Sequence, residues 1–330
     1  MKRFLVTGAT GFLGSHLVNR LLARQDVTTR ILCRGANRWT DIERVETVYG
    51  DILDVAVVER AARGVEGIFH LAGFVTRDRS RSSELFDTHI RGTKNLCDSA
   101  IRNGSPRVIV TSSSGTIAAS RVPIMQNEDS PFANEVASHW PYYLSKIYQE
   151  KLALAFHENQ GLPVIIVSPS LLLGPGDERL SSTGDVRLFL NRKIPNVPAG
   201  GLNFVDVRDA AAALISAMET GVSGRRYLVG GYNMMLKEFF GILERLSGVK
   251  APKMELPESW SRTGAAILRR LYKVVGREYP LDDTTVEMAY RFWYVDNSRA
   301  RKELGLNPRP AEETLRDTIG YLQQLGRWTS

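Results

Sequence analysis

Arg3-Phe4-Leu5-Val6-Thr7-Gly8-Ala9-Thr10-Gly11-Phe12-Leu13-Gly14 decides the fold. The apolar run Phe4 to Val6 breaks at Gly8 and Gly11, and a helical pattern resumes through Leu13, Leu17 and Leu21. This reads as a strand, a tight glycine turn and a helix. Glycines in such a turn let the backbone approach a pyrophosphate, and the helix start offers free N–H groups at the positive end of its dipole. The spacing of Gly8, Gly11 and Gly14 is GxxGxxG, one residue longer than the common dinucleotide fingerprint.

Two further stretches give the turn a chemical context. Tyr142-Tyr143-Leu144-Ser145-Lys146 places a phenol and an ammonium one helical turn apart on one face. Alone, that spacing is common on exposed helices. Behind a nucleotide loop, the cation would lower a phenol pKa that is otherwise near 10, giving a proton donor or acceptor usable near neutrality. Arg107-Val108-Ile109-Val110-Thr111 reads as a strand running into Ser112-Ser113-Ser114-Gly115. Ligands of open parallel sheets bind beyond the carboxyl ends of strands, so a serine hydroxyl there can face the tyrosine.

With these motifs the chain resembles the extended short-chain dehydrogenase/reductases, which form the NAD-dependent epimerase/dehydratase superfamily. It is most similar to the dihydroflavonol-reductase-like and 3β-hydroxysteroid-dehydrogenase-like branch. Other matching segments are Gly50-Asp51-Ile52, Phe69-His70-Leu71-Ala72, Gly92-Thr93-Lys94-Asn95-Leu96, and Pro169 followed by Gly174-Pro175-Gly176. The resemblance spans nearly the whole chain. It implies that Ser113 orients the reacting oxygen, that Tyr142 is the acid/base, and that Lys146 tunes Tyr142 and binds the cofactor ribose. It also implies cofactor contacts from Gly8, Thr10, Gly11, Phe12, Leu13 and Gly14. Leu71, Ala72 and Gly73 would line the ribose and pyrophosphate, Asp51 and Ile52 the adenine, and Pro169 the nicotinamide. Where many relatives carry Asn before the Gly-Thr-x-Asn-Leu run, this chain has His89, which can take over the same hydrogen bonds or cap a helix.

The 330 residues, 43% hydrophobic, suffice for one large unit or a domain plus a lobe. Val108 to Val110 and Val164 to Val167 suit strands buried on both faces, and they alternate with helical patterns over residues 85–103 and 142–159. The expected architecture is α/β: a doubly wound parallel Rossmann sheet over residues 1–169 and a smaller substrate lobe over 170–330. Segments near 204–207 and 227–229 are expected to return from the lobe to the sheet.

Two cysteines, Cys33 and Cys97, exclude a disulfide framework and fit a reduced cytoplasm. No run approaches the ~18 apolar residues of a membrane span. The net charge of +7 comes from scattered Lys and Arg without a nucleic-acid motif, so nucleic acid is not an expected partner. Five histidines without ligand-like clustering indicate no metal.

Cofactor choice turns on Arg34, which follows the second strand Thr29-Arg30-Ile31-Leu32-Cys33 about twenty residues beyond Gly14. NAD-selective folds place an acid there for the ribose 2′-hydroxyl; arginine suits a 2′-phosphate. NADP(H) is therefore favoured over NAD(H), with Arg38 as a second contact.

Substrate class turns on Leu202. In Leu202-Asn203-Phe204-Val205-Asp206-Val207 it occupies a position where nucleotide-sugar relatives carry a diphosphate-binding arginine. Leu171-Leu172-Leu173 and the Trp260 segment would extend an apolar wall, while Arg179 or Arg208 could still take over a diphosphate. The expected activity is oxidoreduction of a secondary alcohol or ketone on a hydrophobic, polycyclic substrate of steroid, terpenoid or flavonoid type. The competing readings are a nucleotide-sugar epimerase or dehydratase with retained cofactor, and a non-catalytic cofactor-binding regulator. Residues 258–277 read as a basic amphipathic helix. Ile267, Leu268, Leu271, Val274 and Val275 recur on one side, which would pack on its own domain or touch a membrane surface. A homodimer is compatible with the resemblance.

Overall fold

The computed structural model describes residues 1–274, 276–277 and 279–328. Seven strands form one parallel sheet: β1 (Lys2–Thr7), β2 (Val27–Cys33), β3 (Val45–Tyr49), β4 (Gly67–His70), β5 (Arg107–Thr111), β6 (Val164–Pro169) and β9 (Arg226–Val229). Their order is β3-β2-β1-β4-β5-β6-β9, with every neighbouring pair parallel. The order of winding reverses between β1 and β4, which opens a crevice at the carboxyl ends of those strands.

The continuous apolar runs follow from burial on both faces. In β1, Phe4 and Val6 join a core layer with Leu13, Leu17 and Leu21 of helix Phe12–Leu22 and with Ala210, Leu214 and Ala217 of helix Val207–Thr220. Leu5, between them, faces the opposite layer, with Val57, Val58, Leu96 and Phe156. The same alternation recurs in β6, where Ile165 and Val167 face the first layer and Val164 and Ile166 the second. A period of two along strands meeting helices on either side is the physical content of double winding.

A second sheet of three strands carries the lobe: β7 (Leu171–Leu173), β8 (Gly201–Asp206) and β10 (Tyr232–Met235), in the order β10-β8-β7. Residues 204–206 therefore do not return to the large sheet. They pair with β7 and β10, whereas Arg226–Val229 runs beside β6. Around the small sheet, Leu202, Phe204, Phe189, Phe240 and Leu315 form a third core. Leu173 is fully buried there, so of the three leucines 171–173 only the first two reach the cleft between the sheets.

The helical pattern over 85–103 is interrupted. Ser82–Phe86 is α-helical, Asp87–Arg91 forms a π-helical turn, and Gly92–Arg102 resumes the α-helix. Such turns concentrate at functional sites, and this one carries His89. The basic amphipathic stretch forms helix Glu258–Val274; Val275, assigned to it from sequence, lies outside the described residues. Among the described residues no helix is long and apolar enough to cross a membrane, and no cluster of three metal-ligating side chains occurs.

Candidate active site

The glycine turn is built as its chemistry requires. Gly8 has φ +72°, and a Cβ there would lie 2.5 Å from the Leu71 backbone. At Gly14 a Cβ would lie 2.2 Å from the Gly8 carbonyl oxygen. The turn thus packs backbone to backbone against the segment leaving β4, which only glycine permits. Gly11 occupies the N-cap of helix Phe12–Leu22 without a side-chain cap, leaving the first-turn N–H groups available to an anion. Gly8, Thr10, Gly11, Phe12, Leu13 and Gly14 all line one cleft, of about 1100 Å³, that continues past the serine turn into the lobe.

The same cleft receives Ser113, Tyr142, Lys146, Leu71, Gly73 and Pro169, from three different strand ends and one helix. Helix Pro141–Gln160 delivers Tyr142 and Lys146. Pro141 starts it at a position where a missing N–H costs nothing, and Gly161, at φ +68°, ends it. Arg34 reaches the cleft with a 76% exposed side chain, 3.8 Å from the Asp51 carboxylate. Asp51, Ile52 and Ala72 stand back from the cleft wall. Asp51 accepts from the Leu53 N–H, Ile52 is buried beneath Gly92, and the Ala72 N–H donates to Thr7. Arg38 is held by Glu178 at 3.1 Å, which occupies part of its charge.

The electrostatics differ from the sequence expectation at the tyrosine. Burial pushes the Tyr142 phenol up to about 12, with the Ser113 hydroxyl pulling the other way. The hydrogen bonds of the Lys146 ammonium go elsewhere. Lys146 donates to the Thr111 carbonyl at 2.9 Å and to Gln149 Oε1 at 2.8 Å, and burial brings its pKa down to about 7, with Glu150 opposing. Two of the three ammonium hydrogens are thereby spent on the protein. The third is left for a ligand in the cleft.

Behind Lys146 runs a chain of hydrogen bonds that fixes the donors by elimination. Thr93 Oγ1 donates to the His89 carbonyl at 2.5 Å, so it must accept from Gln149 Nε2 and from His70 Nε2, each at 2.8 Å. His70 Nδ1 then accepts from Thr7 Oγ1 at 2.8 Å, and Thr7 in turn accepts from the Ala72 N–H at 3.1 Å. Burial holds His70 down to about 3, so the ring is neutral. This chain ties the glycine-turn strand to the lysine. Neither His70 nor Gln149 is assigned a site role from sequence.

His89 is fully buried, and burial together with the nearby Lys146 charge holds it well below the usual histidine range. Ser145 Oγ donates to the Tyr142 carbonyl at 2.7 Å, so it accepts from His89 Nδ1 at 2.8 Å. Neutral His89 therefore keeps a bare Nε2 that has no hydrogen-bond partner among the described residues. A Cβ on Gly73 would lie 2.6 Å from that nitrogen. The ring also meets Tyr142 edge-on at 5.9 Å, bracing the phenol from the π-helical turn.

A second anchor lies one turn beyond the lysine. Glu150, fully buried, accepts from Ser112 Oγ and, at 2.8 Å, from Thr116 Oγ1. The serine turn is so clamped to the helix that carries Tyr142.

A dinucleotide loop at a sheet switch point and a Tyr/Lys helix in the same cleft define an NAD-dependent enzyme of the extended short-chain dehydrogenase/reductase class. The chain belongs to the NAD dependent epimerase/dehydratase family, which it matches over residues 4–230. It is 33% identical over 339 residues to sterol demethylase protein B of Methylococcus capsulatus, covering 98% of both chains. To a putative dihydroflavonol 4-reductase of Synechocystis it is 31% identical over 332 residues, covering 98% of this chain and 95% of that one. The solved structure of gox2253 superposes with a TM-score of 0.84 at 31% identity over the full length of both chains.

Proposed function

We propose that this chain interconverts a secondary alcohol and a ketone on a hydrophobic, polycyclic substrate, using NADP(H) in preference to NAD(H). The observation that carries the substrate class is the wall of the lobe half of the cleft, with Leu172, Leu188, Leu202, Phe240, Leu268 and Trp293. The charged groups near it are largely neutralised within the protein. Arg77 makes a bidentate pair with Asp185 at 2.7 and 2.9 Å, and Arg291 pairs with Glu258 at 2.8 Å. Arg208, one candidate for holding a diphosphate, is bound to Asp206 and Asp317 and stands off the cleft. An apolar pocket with few polar groups suits a polycycle. Arg179, which does line the cleft, is the feature on which a nucleotide-sugar epimerase or dehydratase would depend.

The cofactor fits the residues present: a cradle that any Cβ would fill, an uncapped helix start, and one unspent Lys146 N–H. Arg34 is placed to meet a 2′-phosphate with a planar, bidentate donor. When bound, the nicotinamide gives or takes the hydride. Tyr142 gives or takes the proton at the substrate oxygen, and Ser113, beside it, orients that oxygen by hydrogen bonding. A resting phenol at about 12 is a poor base, so the ammonium of Lys146 is needed near the phenolate when charge develops.

Thermal-shift screening with NADP(H) present tests the substrate class. Sterols or related polycycles should stabilise the protein, and UDP- or GDP-sugars should not; the reverse ranking assigns the epimerase activity. Tyr142→Phe should abolish turnover of the stabilising compound while cofactor affinity survives. Retained turnover removes the acid/base assignment, and a wild type without turnover leaves the non-catalytic regulator.

A further inference from the structure

Helix Glu258–Val274 has two faces with different surroundings. Inward, Ser261 and Ala265 are buried, Ala265 within a small core with Leu281, Val286 and Tyr290, and Arg269 pairs with Asp283. Outward, Trp260, Ile267, Leu271 and Val274 are 70%, 55%, 57% and 84% exposed. At 100° per residue these four fall within about 60° of one another, a continuous and mostly exposed apolar stripe among the described residues. A soluble surface scatters such residues singly. Four large ones aligned on one helix are a surface built to be covered.

Two further observations say by what. The helix carries four basic residues and one acidic residue. Arg270 and Lys273 are exposed on one flank of the stripe, with exposed Arg262 beyond them. Their aliphatic stems can lie along the apolar stripe while their cationic ends reach a plane of anionic groups. On the other flank the stripe runs directly into the cleft, because Trp260, Gly264 and Leu268 line both the helix edge and the cavity wall. The apolar edge of the helix is therefore continuous with the cavity wall.

We infer that this helix docks on an anionic lipid surface, with its stripe in the headgroup–acyl boundary and the mouth of the cleft opening onto the bilayer. Low overall hydrophobicity, a strong apolar face and flanking bases are the pattern of interfacial helices, which lie on a membrane without spanning it. A water-insoluble substrate can then pass from lipid to cleft without entering bulk water. That last step rests on the hydrophobic-substrate reading, whereas the docking itself does not.

Flotation with vesicles separates the two. The full chain should float with vesicles of equal parts phosphatidylglycerol and phosphatidylcholine at low salt, and less as ionic strength rises past about 0.1 M, where surface charges are screened. Ile267→Glu with Leu271→Glu should reduce the bound-to-free ratio tenfold or more, since each exposed apolar side chain contributes about a factor of ten on burial. Thermal melting and NADP(H) affinity of this double variant should match the wild type, because neither side chain touches the cleft. Arg270→Glu with Lys273→Glu should remove the preference for anionic over pure phosphatidylcholine vesicles. Absence of flotation at low salt overturns the inference, as does binding that the double glutamate variant leaves unchanged. Sedimentation showing a dimer that the double glutamate variant splits would assign the stripe to a second copy of the chain. Failure of the sterol ranking with flotation intact would remove the substrate reading and leave the docking surface standing.

Discussion

Lys146 should make the stability of the cofactor-free protein depend on pH in a way that its removal abolishes. Its folded pKa is brought down to about 7, from 10.5 when unperturbed, because the ammonium is buried, with Thr111 and Gln149 its acceptors among the described residues. Between those two values the unfolded chain binds the proton and the folded chain does not. Stability therefore rises with pH from about 7 towards 10.5, and is lost as pH falls through about 7. The limiting slope is about 1.4 kcal/mol per pH unit. Allowing for partial protonation at both ends, the gain from about pH 7.5 to about 9.5 is about 2.5 kcal/mol. Other groups titrate in this range, so the measurement is a difference: urea unfolding of wild type and Lys146→Met at matched pH values. The wild type should gain on the variant by about that amount as pH rises. Parallel curves, within about 0.5 kcal/mol, would mean an ordinary exposed-type ammonium and would refute the account of Lys146 as a desolvated, tuned cation.

Gln149→Leu removes one of the two acceptors on that ammonium and one of the two donors to the Thr93 hydroxyl. The Lys146 pKa should fall by a further one to two units, roughly the worth of a hydrogen bond to a charge, and NADP(H) affinity should weaken most above neutral pH. Gly14→Ala would drive a Cβ to 2.2 Å from the Gly8 carbonyl. It should cost about 3 kcal/mol or more of stability and abolish cofactor quenching of tryptophan fluorescence, whereas Gly184→Ala, with nothing within 4 Å, should do neither. Arg34→Ala should reduce the NADP(H)-over-NAD(H) affinity ratio about tenfold or more, for loss of a charge-assisted contact, and an unchanged ratio in direct titration would count against the assignment.

Much of this protein is legible in its residues because local chemistry leaves few alternatives. The strand, glycine turn and helix at residues 3–21 need no distant contact to be recognised, since only glycine tolerates the Gly8 backbone and the close approach at Gly14. Continuous apolar runs such as Val164 to Val167 similarly announce a sheet covered on both faces. The Tyr142 and Lys146 spacing marks a helix face, and Ser113 follows a strand end, so the chemistry of the cleft is readable before its geometry. The destination of a strand is not readable: Gly201–Asp206 and Arg226–Val229 are both short and apolar, yet one builds the lobe sheet and the other extends the large sheet. That choice depends on which edge is open when the lobe assembles, a long-range matter. The state of the catalytic groups is also tertiary. Sequence puts the lysine one turn from the tyrosine, and solvent exclusion then raises the phenol, lowers the ammonium and turns the cation towards Thr111 and Gln149. Desolvation and hydrogen-bond partners come from residues distant along the chain, such as Thr7, His70 and Thr93, which meet only when the sheet closes. The helix at 258–274 shows the same division. Its amphipathic period is written in the sequence, but only the fold decides that Ala265 faces a core while Ile267 and Leu271 face outward, because a helix buries whichever side its neighbours leave dry.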